Sequence, residues 1–154
     1  MDQVKIVIAS YKRAKILYET TLELLLRLNV DIINDVEIVV ETEEMKKEYL
    51  ETIPFKLKII VSNTDGLKEK RNFVRKYYQY KTDYEYILSM DDDIKDILNI
   101  DGKSITENEW IKLIETGFEE CEKNGAYIWS LTPSDNSFFY KDTISYNLKT
   151  MIGA

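Results

Sequence analysis

Apolar and polar positions fall in blocks along this chain, and the blocks read alternately as strands and helices. VKIVIAS (4–10) is a short β-branched apolar run closed by polar YKR, the pattern of a fully buried strand. AKILYETTLELLLRLN (14–29) carries apolar residues at 16, 17, 24, 25 and 28, a helical stripe. DVEIVVE (35–41) predicts a second buried strand. TEEMKKEYLETI (42–53) predicts a short polar helix, capped by Thr42 and ended by Pro54. FKLKIIVS (55–62), alternating at first, predicts a third strand, and NTDG (63–66) a turn. LKEKRNFVRKYYQY (67–80) predicts a basic helix with Leu67, Phe73, Val74, Tyr77 and Tyr78 inward. YEYILSM (84–90) predicts a fourth strand, delivering DDD (91–93) at its end. Thr106 and Glu109 form a capping box that opens a helix to about Lys123. AYIWSLT (126–132) predicts a fifth strand, a polar loop with Pro133 follows, and SYNLKTMI (145–152) predicts a sixth.

Early strands alternating with helices imply an α/β fold, a mostly parallel sheet covered on both faces. At 154 residues, with no repeat, linker or low-complexity tract, the chain reads as a single domain, 1–154. The run TMIGA at the end has no closing helix, which suggests that the C-terminal part of a larger fold is missing. A lone cysteine, Cys121, excludes an intramolecular disulfide and fits a reducing compartment. The N-terminal apolar stretch is too short for a signal-peptide core, and no run approaches the roughly 20 apolar residues of a membrane helix. The expected location is the cytoplasm, that of the host if the protein is viral.

Histidine is absent, which removes histidine bases and histidine metal sites. Any metal must then sit among oxygen ligands, favouring magnesium, manganese or calcium over zinc. The net charge of −7 argues against a surface that coats nucleic acid, but leaves room for a local basic site.

Ligands of open α/β sheets bind beyond the carboxyl ends of the strands, where Asp91, Asp92 and Asp93 fall. Strand alternation puts Asp91 and Asp93 on one side and Asp92 on the other. Two carboxylates on one side make an oxygen site for Mn2+ or Mg2+ with positions left for substrate phosphates. The bland alternative is a solvated acidic turn, with Ile94 to Leu98 as a short helix. Residues 67–81 carry Lys68, Lys70, Arg71, Arg75, Lys76 and Lys81 against one acid, Glu69. The N-terminus of that helix also faces the edge, and helix N-termini and arginines attract phosphates. Arg71 and Asn72 lie in its first turn or so, and the other cations read as surface. The loop Ser10-Tyr11-Lys12-Arg13 offers a hydroxyl, an aromatic face and two cations, without the glycines of a dinucleotide or P-loop motif. Glu41 closes strand two, placed to contact a base or ribose or to cap the next helix. A cation site, a phosphate-attracting helix and an aromatic loop at one edge suit a nucleoside diphosphate carried with a metal.

KIVIASYKRA, VEIVVE, GLKEKRN and YILSMDDDI resemble the N-terminal half of GT-A-fold glycosyltransferases. The order of YKRA, TTLELL, VVETEEMKKEY, GLKEKRN, LSMDDDI, WSLTPSDNSFF and ISYNLKTMIGA resembles the TET-associated glycosyltransferases, mostly phage enzymes acting on hydroxymethylated pyrimidines in DNA. The resemblance implies a metal-dependent glycosyltransferase with a nucleoside-diphosphate sugar donor, UDP-type favoured, and DNA with modified bases as acceptor. It implies a donor-binding half over 1–100 and the start of an acceptor half over 101–154. It implies that Asp93 binds metal and that Asp91 binds metal-linked water or ribose, with Asp92 beside them. Arg71, with Asn72 next to it, would meet the diphosphate, and Ser10, Tyr11, Arg13 and Glu41 would line the nucleoside pocket. Trp129, Pro133 and Asn136 would lie toward the sugar or acceptor, although Trp129 reads equally as a packed strand residue. The resemblance supplies no catalytic base.

Rival readings are weaker on the residues. A nucleotidyltransferase wants a glycine-rich first loop, and a HAD-type phosphatase carries its DxD after the first strand, where this chain has ASYKR. A glycan- or protein-directed glycosyltransferase fits the same donor site. So does a non-catalytic nucleotide-binding module.

Overall fold

The computed structural model describes residues 4–81, 84–131 and 143–146. The chain divides into two compact units, Met1–Lys95 and Asp96–Ala154.

The first unit is an α/β layer structure. Its sheet holds β1 (Val4–Ala9), β2 (Val36–Val40), β3 (Lys58–Val61) and β4 (Tyr86–Met90) in the order β3-β2-β1-β4, every pairing parallel. Ile6, Val7 and Ile8 of β1 and the whole of β2 are buried, as continuous apolar runs require when both sheet faces are covered. One face packs on helix α4 (Leu67–Lys81), where Val7, Val39 and Tyr78 form a core with Phe73, Val74 and Tyr77 around it. The opposite face lies toward helix α3 (Glu43–Thr52), whose Tyr49 reaches Ser10. Thr42 caps α3, its hydroxyl accepting the Met45 amide, and Thr42 was the cap the pattern indicated.

The first helix departs from a simple periodic reading. It runs as α1 (Ala14–Leu17), a π-helical turn (Tyr18–Leu22) and α2 (Glu23–Arg27). The wider turn shifts the phase of the stripe. Leu17, Leu22, Leu24, Leu25 and Leu28 are buried, whereas Ile16, expected inward, is 41% exposed. The third strand is shorter than expected, because Phe55–Leu57 lie outside the ladder and only 58–61 pair with β2.

In the second unit, α5 (Glu107–Asn124) opens on the expected capping box, with both reciprocal bonds between Thr106 and Glu109, and closes at Gly125 in the left-handed conformation. The expected fifth strand does not form over its described residues. Residues 126–131 are irregular, and Tyr127 and Ile128 face solvent, because an apolar run becomes a strand only where a neighbour completes its ladder. Ser145 and Tyr146 are irregular too, and the remainder of the expected sixth strand, 147–152, lies outside the described residues. Residues 94–98 form no short helix, and Leu98 makes an isolated antiparallel bridge to Ser104.

Candidate functional site

The sheet order reverses between β1 and β4, since β1 is followed in sequence by β2 on one side while β4 lies on the other. Crevices at such switch points, beyond the strand ends, are where open α/β sheets hold ligands. Here the loop after β1 supplies residues 10–13 and the loop after β4 supplies 91–93.

The three aspartates meet three different surroundings. Met90 pairs with Ile8, so Asp91 continues the sheet face of Ile87, which is the α4 face, and Asp92 continues the other. Asp92 is buried. One of its oxygens accepts the Arg13 guanidinium at 2.9 Å and the other accepts the Ser10 hydroxyl. Ser10 has one proton and Asp92 takes it, so Ser10 accepts from the Tyr49 hydroxyl at 2.6 Å. Tyr49 in turn accepts the backbone N–H of Arg13 at 3.0 Å. Burial above all raises the Tyr49 pKa, which keeps it a phenol able to donate. Ser10, Tyr49, Arg13 and Asp92 therefore form a closed hydrogen-bonded ring beneath the edge.

Asp93 turns back from the strand direction, with Asp92 and Asp93 forming a turn, and its half-exposed carboxylate also receives Arg13, at 3.1 Å. Asp92 first and Asp93 second raise the Arg13 pKa. Asp91 stands apart. Burial pushes its pKa up, Arg71 on α4 pulls it down, and Asp93 and then Asp92 push it up again. Among the described residues no hydrogen bond or ion pair engages its carboxylate, and only its main-chain carbonyl is bonded, to Thr21 at 2.9 Å. A half-buried carboxylate with no hydrogen-bonding partner, within electrostatic reach of the half-exposed Asp93, fits a hard divalent cation as third member, completed by water and a ligand's oxygens. The protein supplies two carboxylates there, and no group of three His, Cys, Asp or Glu side chains suited to a metal occurs among the described residues.

The π turn holds this loop from behind. The single Thr20 hydroxyl proton is shared between the Ile16 carbonyl at 2.7 Å and the Asp92 carbonyl at 3.1 Å, and Thr21 donates to the Asp91 carbonyl while accepting the Ile94 amide at 2.9 Å. The turn presents adjacent hydroxyls to one loop, and π turns recur at functional sites for this kind of local re-aiming. Thr21→Val keeps the shape and removes both bonds at a fully buried position. The expected loss is about 2 kcal/mol in urea unfolding, with weaker metal affinity because the Asp91 backbone is released.

Sequence reasoning missed Lys70, which it left among the surface cations. Lys70 is 2% exposed. Its ammonium donates to the Ser10 carbonyl at 3.1 Å, pairs with Glu41 at 3.2 Å and lies 5.4 Å from the centre of the Tyr11 ring. Glu41 also accepts the Gly66 amide at 3.3 Å. Its carboxylate thus ties strand two to the loop before α4, leaving little of it open to a ligand. The signal was available in the helical period, since 70, 73, 74, 77 and 78 make one stripe. Tyr11 itself is 47% exposed. Lys12 has φ +52°, so the loop takes without glycine a left-handed step that costs a non-glycine residue some strain. Arg71 and Asn72 are exposed, as are Lys68, Arg75 and Lys76.

Trp129 belongs to the second unit, packed edge-to-face on Phe118 at 5.7 Å and covering Gly117, where an added Cβ would come within 2.4 Å of the indole. Its role there is packing within that unit. Pro133 and Asn136 lie outside the described residues. No helix among the described residues is long and apolar enough to cross a membrane. Comparison of the chain with protein-family models, with curated proteins and with solved structures gives no match.

Proposed function

We propose that this edge binds a nucleoside-diphosphate sugar together with Mn2+ or Mg2+, and that the chain is the donor-binding part of a glycosyltransferase of GT-A type. One observation carries the reading. At the β1–β4 switch point Tyr11, Arg71, Asp91 and Asp93 stay accessible, beside the exposed Lys12 and Arg13, while Ser10, Asp92, Glu41 and Lys70 are buried beneath and hold them. The accessible set is what a nucleoside diphosphate needs: an aromatic face for the base, an arginine for phosphate, and two carboxylates for the metal. Once bound, the metal supplies neutralisation of the diphosphate charge. Arg71 meets the diphosphate from the α4 side. Arg13 holds Asp92 and Asp93 and does not itself need to touch ligand. Transfer breaks the bond between the sugar's anomeric carbon and the diphosphate, joins that carbon to an acceptor hydroxyl oxygen, and releases the hydroxyl proton.

The acceptor we propose is a hydroxymethylated pyrimidine in DNA, on the sequence resemblance, with a glycan or protein as the competing class. Lys68, Arg75 and Lys76 remain available for phosphate contacts, and Lys70, being buried, leaves that set. The deciding experiment is calorimetry of UDP binding with Mn2+ and with EDTA. Binding is expected only with metal, and equal affinity in both would sink the metal bridge. Turnover of a panel of UDP-sugars with hydroxymethylated DNA, glycan and protein acceptors then separates a transferase from a binding module and selects the acceptor.

A further inference from the structure

We infer that Lys70 is a positioning residue that anchors the Tyr11 ring as the platform for the nucleotide base, and so sets base affinity without touching ligand. The inference rests on the donor-site reading above. Its grounds are geometric. An ammonium has three N–H donors, and Lys70 has three places to aim them: the Ser10 carbonyl at 3.1 Å, Glu41 at 3.2 Å and the face of Tyr11 at 5.4 Å. A lysine almost wholly removed from water is costly unless every donor is used. The first two partners fix the ammonium rigidly, because Ser10 is locked in its ring with Asp92 and Tyr49, and Glu41 is held by the Gly66 amide. The third partner is the exposed one. Tyr11 is half exposed in a loop bent by the positive φ of Lys12, and its other cation, Lys12 at 5.2 Å, is an exposed side chain. Only Lys70 offers Tyr11 a fixed, desolvated charge, the condition in which a cation–π contact is strongest. One buried lysine thus joins the end of β1, the end of β2 and the first turn of α4, and orients the aromatic face above them.

The test uses the full chain with Lys70→Met, and with Glu41→Gln/Lys70→Met so that no buried charge is left unpaired and folding is preserved. The probes are UDP with Mn2+ and inorganic pyrophosphate with Mn2+. The double variant is expected to weaken UDP about tenfold, the scale of losing one ordered stacking surface, and to leave pyrophosphate affinity unchanged. In a Tyr11→Ala background the same two changes should cost nothing further. Equal losses for UDP and pyrophosphate, or an undiminished loss in the Tyr11→Ala background, would overturn the anchoring role. A ligand-free arm follows the ring resonances of Tyr11 in 13C-tyrosine-labelled protein, which should move toward the unstructured value when Lys70 is replaced. An unmoved resonance overturns the inference. Wild-type protein that binds neither probe overturns the donor-site reading instead, and the Tyr11 resonance still decides whether Lys70 anchors the ring.

Discussion

Asp91→Asn is expected to abolish the proposed metal-dependent nucleotide binding and to raise the melting midpoint of the metal-free protein. The two effects have one cause. The Asp91 carboxylate is half buried without a hydrogen-bonding partner, beside two other aspartates, and its pKa is raised chiefly by burial, with Arg71 and, more weakly, Arg13 countering. Ionised, it costs the empty fold stability and, on the proposed function, serves a cation. The amide removes the cost and the service together. Metal-supported UDP affinity should fall by at least the roughly 10–100-fold that loss of a group supporting a metal costs, while the midpoint rises by about 2 °C in EDTA, the shift expected of a fraction of a kcal/mol in a chain this size. The pH dependence has a definite sign. A folded carboxyl with a raised pKa binds its proton at a higher pH than the unfolded chain does, so the cost is present at neutral pH. It is relieved as pH falls through the folded value, and below the unfolded value of about 3.9 it makes no further difference. The wild-type minus Asp91→Asn difference in stability should therefore shrink as the metal-free protein is acidified toward that range. Asp93→Asn is the control, its half-exposed carboxylate sharing Arg13 with Asp92. It should weaken metal binding and leave the midpoint nearly unchanged. A midpoint that falls in Asp91→Asn would mean that the carboxylate is held by the fold and is not poised for a cation.

The sheet was legible because its strands are buried on both faces. VKIVIA and VEIVV cannot be read as anything half-solvated, and Thr42, Thr106 and Glu109 mark their helix starts through side chains that bond the backbone locally. Strand alternation put Asp91 and Asp92 on opposite faces, and the structure keeps them there at the end of β4, whose pairing with β1 no sequence pattern indicated. Local chemistry could not reveal what long-range pairing decides. Asp93 leaves the strand phase because a turn carries it to Arg13, which lies 80 residues earlier. AYIWSL has a strand's composition but has no ladder among the described residues. The π turn has no composition signal, since the hydroxyls of Thr20 and Thr21 matter only once the loop after β4 lies against them. Lys70 was hidden by the habit of reading a lysine in a basic helix as solvated, although its spacing to Phe73, Val74, Tyr77 and Tyr78 placed it inward. Polar residues that build the site are thus read correctly where their partner is near in sequence and misread where it is far.

Asp92→Ala should be the most destabilising of the substitutions in the triplet, and its effect should be on the fold before the ligand. Asp92 is buried, and each of its oxygens already has a donor, from Ser10 and from Arg13. Alanine leaves the Ser10 hydroxyl, itself buried, without an acceptor for its proton. It also breaks the ring through Tyr49 that fixes the loop after β1 on the loop after β4. Two charge-assisted bonds lost from a buried carboxylate, one of them to the half-exposed Arg13, cost about 3 kcal/mol, and the orphaned hydroxyl accounts for part of it. In a chain of this length that lowers the midpoint by about 6–12 °C. Ser10→Ala/Asp92→Ala should recover part of the loss, because it removes the stranded hydroxyl together with its acceptor. Nucleotide binding by the surviving folded protein should weaken only moderately, since Asp91, Asp93, Arg71 and Tyr11 all remain and only the hold of Arg13 on Asp93 is loosened. The measurements are urea unfolding of the wild type and both variants, followed by calorimetry with UDP and Mn2+ at a temperature where each is folded. An Asp92→Ala protein as stable as the wild type that no longer binds UDP would reverse the assignment. Asp92 would then be the ligand-binding member of the triplet, and the buried ring would be a consequence of the empty site.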